Sequence, residues 1–292
     1  MNIGILGLGS LGSLMAYHWR EHSLFALPRS AHHSISIKVQ HQSQLWQADL
    51  PYWQGEPLDW LVVCTKAADT VNALQRWQHL LAQANNILLL QNGMGQQQQV
   101  ADWLAQQQLN MPLWAAMCTE GAYRDNDKVV YAGVGNTLIG LWPSVKAGSS
   151  AVDFDQSYHA LALPQTHITS DIKQHLLNKL AINAVINPLT AYYRCKNGEL
   201  VNNPIYKEQL IRLSNEINGL YNALGWHLNT YLADLSQQVA QATADNTSST
   251  LQDVLADRPT ELPFICGYLL EQAQAIAYDL PLTQYFYNQI SS

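Results

Sequence analysis

The stretch NIGILGLGSLG, residues 2 to 12, restricts the possible folds of this chain more than any other. Asn2 to Leu6 form a short apolar run that reads as a buried strand. Gly7-Leu8-Gly9-Ser10-Leu11-Gly12 follows at once, and SLMAYHWREH then spaces its apolar residues as a helix does. In that order each glycine has its own use. Gly7 permits the tight turn, Gly9 lets the backbone approach a pyrophosphate, and Gly12 lets the helix lie close on the strand. The helix start adds unpaired N–H groups and the positive end of its dipole. Glycines cluster in many turns, so the strand before and the helix after carry the reading. We expect a dinucleotide-binding α/β fold, with Gly7, Leu8, Gly9, Ser10, Leu11 and Gly12 on the cofactor.

The end of the second strand bears on which cofactor. An NAD-binding chain usually places Asp or Glu there, on the ribose 2′-hydroxyl. This chain reads SLFALPRS, with no acid and with Arg29. A guanidinium suits a 2′-phosphate in charge and in forked geometry, so NADPH is the expected cofactor. The alternative is an ordinary turn arginine beside Pro28. Further strands are expected in LDWLVVCTKAADT, ending at Thr65-Lys66, and in NNILLLQNGMG, ending at Gln91-Asn92-Gly93. LWAAMCTEGA and VGNTLIGLW read as two more. The carboxyl ends of parallel strands line the ligand crevice of such a sheet, which makes Lys66 and Asn92 candidates to face it.

From about Thr169 the strand signal stops. SDIKQHLLNKLAINAVINPLTAYY is apolar on nearly every side, as a buried helix is, with Pro188 expected to kink it and free a carbonyl. Three later segments also have helical spacing. The expected division is a nucleotide-binding domain over 1–165 and a helical domain over 166–292. Within the buried helix Lys179, Asn183 and Asn187 stand four residues apart. Such residues drift by only about 40° per step and share one face. A solvent-facing stripe would normally carry Glu, Gln or more Lys, so a polar, shielded cleft is the better reading. Asn246-Thr-Ser-Ser249, followed by a short helix, reads either as a cradle for a carboxylate or phosphate or as a plain N-capping turn.

The 292 residues carry a net charge of −7 and a pI near 5.7, which argues against nucleic acid or an anionic membrane as partner. Cys64, Cys118, Cys195 and Cys266 form no CxxC pair, and the ten His include no HExxH, so no metal is expected. No signal peptide or membrane span is apparent, and a cytoplasmic protein is expected.

GxGxxG, TK after the third strand, QNGMG, KLAINAVINPLTA, NTSSTLQD and RPTEL, in this order, together resemble the ketopantoate reductase (2-dehydropantoate 2-reductase) family. The resemblance runs over nearly the whole chain. It implies an N-terminal Rossmann domain, a C-terminal all-helical domain like that of 6-phosphogluconate dehydrogenase, and NADPH-dependent reduction of 2-dehydropantoate to (R)-pantoate. By the same resemblance Lys179 is similar to the family's general acid, and Asn183 and Asn187 to its substrate-binding asparagines. Ser249 and Asn246 would lie in the substrate carboxylate cradle. Glu261 would meet cofactor and lysine, Arg29 and Lys66 would contact the cofactor, and Asn92 would touch both ligands. Where family members commonly read TEIDYINGF, Pro263 and Cys266 here replace an Asp and an Asn. The implied partner is a small 2-keto acid, with the chain a monomer or homodimer. Two alternatives remain: a reductase of another 2-keto acid on the same fold, and a non-enzymatic NADP sensor. A sensor would need only the glycine loop and Arg29.

Overall fold

The computed structural model describes residues 1–28, 34–143 and 166–291. The chain forms two compact units: Met1–Gln91 with Gln96–Ile172, and Asn92–Gly95 with Lys173–Ser292. The first begins with β1 (Asn2–Leu6), α1 (Ser10–His18) and β2 (Ser23–Leu27), then a hairpin of β3 (Ser34–His41) and β4 (Gln44–Pro51). β5 (Trp60–Val63), α2 (Thr70–Arg76), β6 (Ile87–Leu89), α3 (Gln96–Gln106) and β7 (Leu113–Cys118) follow. A second hairpin, β8 (Gly121–Asp125) and β9 (Lys128–Gly133), precedes β10 (Thr137–Leu141) and β11 (Thr166–Ile168).

Seven strands make one sheet in the order β11-β10-β7-β6-β5-β1-β2. The five from β7 to β2 run parallel, while β10 is antiparallel to β7. Ile3, Ile5, Leu61, Val62, Leu88 and Leu89 are all buried, because a parallel sheet is covered on both faces. From β1 the chain passes to β2 on one side and then to β5 on the other. The strand order therefore reverses at β1, and the loops after β1 and β5 open the crevice where ligands bind in such sheets. Those loops are Gly7–Gly12 and Cys64–Lys66.

A second, four-stranded sheet, β4-β3-β9-β8, lies outside what the sequence motifs anticipate. Its signal is present in SISIKVQ, where Ile35, Ile37 and Val39 alternate with polar residues, the mark of a half-buried strand. Leu14 and Met15 of α1 and Trp19, just past its end, share one core with Val39, Val129 and Tyr131 of this sheet and with Ile3 and Ile5 of the first. α1 is thus packed from two sides, which fixes the helix whose start carries the glycine loop.

β11 pairs in parallel with β10, from Thr137 opposite Thr166 to Ile139 opposite Ile168. Thr166–Ile168 therefore belongs to the first unit's sheet, and the division falls after Ile172. Local spacing gives no hint of this three-residue strand, whose pairing lies entirely with another strand.

The second unit is helical: α4 (Ile172–Tyr193, its first residue in the first unit), α5 (Glu199–Asn202), α6 (Pro204–Ala223), α7 (Leu232–Ala242) and α8 (Ser249–Leu255). A π-turn, Pro263–Gly267, leads directly into α9 (Tyr268–Ala275), and α10 (Pro281–Ser291) ends the chain. Asn203 caps α6 by accepting from Ile205 N at 2.9 Å, with Pro204 at the first helical position. In α4, Leu176, Leu177, Leu180, Ala184, Val185 and Leu189 are buried. The helix runs on through Pro188, which has no N–H to offer the carbonyl of Ala184 one turn back. Among the described residues no helix is long and apolar enough to cross a membrane.

Candidate active site

In the first unit the glycine loop is shaped by what glycine lacks. Gly7 sits at φ +99°, in the left-handed region, and a Cβ there would lie 2.8 Å from Thr65 N. A Cβ on Gly12 would collide with Gly7 O, well inside any tolerable contact. Gly9 is the opposite case: nothing lies within 4 Å of where its Cβ would be. The loop is therefore tight at Gly7 and Gly12 and open at Gly9. Gly9 is also the N-cap of α1 and brings no side chain to the N–H groups of the first turn, formed by Ser10, Leu11 and Gly12. Tightness, openness and an uncapped helix start together fit a dinucleotide pyrophosphate.

Lys66 follows β5 and is half-buried. Its carbonyl accepts from Asp69 N at 2.9 Å and from Thr70 Oγ1 at 3.2 Å, so its backbone is held beside the crevice. Arg29 lies outside the described residues.

The second unit gathers the polar stripe with residues from two distant parts of the chain. Lys179, half-buried on α4, donates from Nζ to Asn92 Oδ1 at 2.8 Å. The other end of the same amide, Asn92 Nδ2, donates to Glu261 Oε2 at 3.0 Å. An ammonium and a carboxylate are thereby joined through one neutral amide, each at the end of Asn92 suited to its charge. Asn183 is half-buried one turn along α4, and Asn187, two turns along, is only 6% exposed. The loop carrying Asn92 is tied down by Met94 N, which donates to Phe264 O at 2.8 Å. Chemically, the group offers a proton donor, a compensating acid and neutral amides along one helix face.

The family profile described as Ketopantoate reductase PanE/ApbA matches residues 3–144, and that for the ketopantoate reductase PanE/ApbA C terminal matches residues 171–292. The 2-dehydropantoate 2-reductase of Yersinia pestis is 32% identical over 302 residues, covering 99% of this chain and 94% of its own. This chain belongs to the ketopantoate reductase family. It is accordingly an oxidoreductase of two parts, a Rossmann-type α/β unit and a helical one. The crystal structure of a probable 2-dehydropantoate 2-reductase from Bacillus subtilis superposes with a TM-score of 0.81 at 27% identity, covering 100% of this chain and 99% of that one. D-mandelate dehydrogenase in a ternary structure with NADH and anilino(oxo)acetate also reaches 0.81, at 18% identity, over 100% of this chain and 97% of that one. That last likeness speaks for the fold alone.

In this ketopantoate reductase family member, Asn246 and Ser249 are both exposed at the approach to α8. The N-cap of that helix is their neighbour Ser248, whose Oγ accepts from Leu251 N at 3.1 Å and lies 2.7 Å from Thr190 Oγ1 of α4. Ser248 thus does the capping and leaves the side chain of Ser249 to solvent. Thr190 also donates to Ile186 O at 2.8 Å, just beyond the stripe.

Reasoning from sequence singles out neither Ser248 nor Thr190, since any Ser in a run of Asn, Thr and Ser can cap. It also misses Arg124 of β8, which donates from Nη2 to Leu8 O in the glycine loop at 3.2 Å. No spacing signal joins residues so far apart in the chain. Of the cysteines, burial pushes the Cys266 thiol up to about 12 and holds the Cys64 thiol far above its ordinary range. Neither is a nucleophile at neutral pH, because the thiolate is the reactive form.

Proposed function

We propose that this chain reduces 2-dehydropantoate to (R)-pantoate with NADPH, a step of pantothenate and coenzyme A biosynthesis. The observation that carries the reading is the Lys179–Asn92–Glu261 chain of hydrogen bonds in a member of the family that matches its relative over 99% of this chain.

The loop Gly7–Gly12 would hold the cofactor's pyrophosphate, through backbone N–H groups around Gly9 and at the start of α1. Lys66 and Arg29 would meet its other anionic groups, and the lack of an acid after the second strand favours NADPH over NADH. When bound, the nicotinamide supplies the hydride. The chain's own residues deal with the charge that then gathers on the substrate's ketone oxygen. Lys179 stabilises it and passes a proton from Nζ to that oxygen, leaving a neutral amine. Asn92 aims the ammonium by accepting one of its three N–H bonds. Glu261, held on the same amide, favours the charged form of the lysine that the step requires. Asn183 and Asn187 donate to the substrate's oxygens without adding charge, and Asn246 and Ser249 receive its carboxylate.

A second reading is reduction of a different 2-keto acid on the same fold, since the Lys179–Asn92–Glu261 chain would serve any ketone beside a carboxylate. Loss of NADPH absorbance with 2-dehydropantoate, beside phenylglyoxylate and with NADH as comparison, separates the two. Fast oxidation of NADPH by 2-dehydropantoate, with NADH much poorer, is expected. Faster turnover of phenylglyoxylate, or equal use of NADH, would favour the second.

A further inference from the structure

Two irregularities of the helical unit are packed against each other. The first is Pro188 in α4, which leaves Ala184 O without its N–H partner. The second is the π-turn Pro263–Gly267, where Tyr268 N–H donates to Ile265 O, whereas the α-helical bond would run to Phe264 O. Cys266, fully buried within the turn, directs its thiol at Ala184 O, 4.0 Å away. Phe264 O, on the same turn, receives Met94 N–H at 2.8 Å. Between Asn92 and Met94 stands Gly93 at φ +83°, and a Cβ on it would collide with Phe264 O. The approach of the loop to the turn is therefore open to glycine alone. Asn92 then reaches Lys179 and Glu261. The hydrogen bonds and covalent links run without a break from the gap in α4, through Cys266 and the π-turn, to the amide that holds the lysine on the same helix.

We propose that Gly93 and Cys266 are positioning residues for the reduction: by seating the Asn92–Gly95 loop on the π-turn, which Cys266 keys to the Pro188 gap, they set the aim of Lys179. The inference rests on the role given above to Lys179 and Asn92. π-turns inside helices recur at functional sites, and here the irregular turn supplies the carbonyl that the loop needs. A thiol is a weak donor, but the carbonyl it faces is buried and has lost its α-helical donor to Pro188. The Pro263 and Cys266 departures from the family pattern thus gain a structural purpose, since the proline starts the turn and the cysteine closes the gap.

The test compares Asn92→Ala, Gly93→Ala, Cys266→Ala and Cys266→Ser in the whole chain. It reads kcat, the KM for 2-dehydropantoate, the pH profile of kcat and NADPH affinity. Gly93→Ala should lower kcat by about tenfold or more, because a displacement of the order of an ångström suffices for that, with NADPH affinity within about threefold. The alkaline limb of its kcat profile should move to lower pH, as in Asn92→Ala, since the lysine's charged form loses one acceptor. Cys266→Ala should show the same pattern more weakly, and Cys266→Ser, which keeps a donor, should recover most of the rate. If Asn92→Ala is slow while Gly93→Ala keeps the wild-type rate and profile, the inference is overturned and the proposed function stands. If Asn92→Ala is itself as fast as wild type, the proposed role of the site fails and takes the inference with it. Should Gly93→Ala lose NADPH affinity through misfolding, the cysteine pair decides: equal rates for Ala and Ser at position 266 would contradict the proposal.

Discussion

In the loop Gly7–Gly12, proposed to hold the cofactor, the backbone is what is offered to a ligand, and side chains are absent where they would obstruct it; on α4 the backbone is taken up by helical hydrogen bonds, and Lys179, Asn183 and Asn187 are the groups proposed to act. The first arrangement tolerates almost no added atom, as the collision of a Gly12 Cβ with Gly7 O shows. The second depends on partners brought from elsewhere, because Lys179 donates to Asn92, which in turn donates to Glu261. One site is specified by what is missing at closely spaced positions, the other by what is present at distant ones. The proposed function assigns them different work, holding cofactor in the first case and moving a proton in the second.

The largest expected effect comes from removing the proposed proton donor. Lys179→Ala should lower kcat by about 10²- to 10⁴-fold, the usual range for a general acid, while NADPH affinity measured by fluorescence stays within about threefold. Equal losses in rate and affinity would break the comparison. Gly12→Ala should show the converse pattern. The methyl group must displace the loop or the helix, costing about 1–3 kcal/mol in thermal stability and weakening both NADPH and NADH. Lys66→Ala should raise the NADPH dissociation constant by roughly tenfold, the scale of one charged hydrogen bond, and leave kcat at saturating cofactor nearly unchanged. The smallest effect is on stability at high pH. The Cys266 thiol titrates near 9.0 when the chain is unfolded and near 12 when it is folded. The unfolded chain therefore loses its proton first, and stability is full below pH 9 and declines as pH rises towards 12. Cys195, raised by burial to about 11, adds to the same slope. A melting temperature that falls over this range in wild type and falls less in Cys266→Ser is the expected outcome.

How much is legible in the sequence follows from the same contrast. The glycine loop is legible because its spacing is local and each glycine answers a separate steric demand, visible in the structure as contacts at Gly7 and Gly12 and open space at Gly9. The α4 stripe is legible as a face because helical geometry fixes which residues share it. What joins that face to Asn92 and Glu261 is not, since the Asn92–Glu261 bond spans 169 positions and no periodicity reaches that far. The resemblance to ketopantoate reductases names these residues as neighbours of the ligands but does not say that one amide holds both charges. The hairpin β3–β4 is harder to foresee although SISIKVQ alternates, because a nucleotide-binding pattern passes from its second strand to its third through a connection and leaves no place for an extra hairpin. Thr166–Ile168 escapes because three residues carry too little pattern, and their strand conformation comes from pairing with β10. Ser248 and Ser249 cannot be ranked from sequence, because either hydroxyl could cap α8 and the backbone at Ser248 decides which does.

The division of labour between the two regions is tested most directly by combining Lys66→Ala with Lys179→Ala and measuring NADPH affinity and kcat on the double variant. If cofactor holding and proton transfer are separate functions, the double variant should show the affinity of Lys66→Ala and the kcat of Lys179→Ala, because independent sites add within about 0.5 kcal/mol. A double variant that departs from both, with affinity further weakened by the loss of Lys179 or rate further lowered by the loss of Lys66, would show that the two lysines do not act separately and would contradict the account.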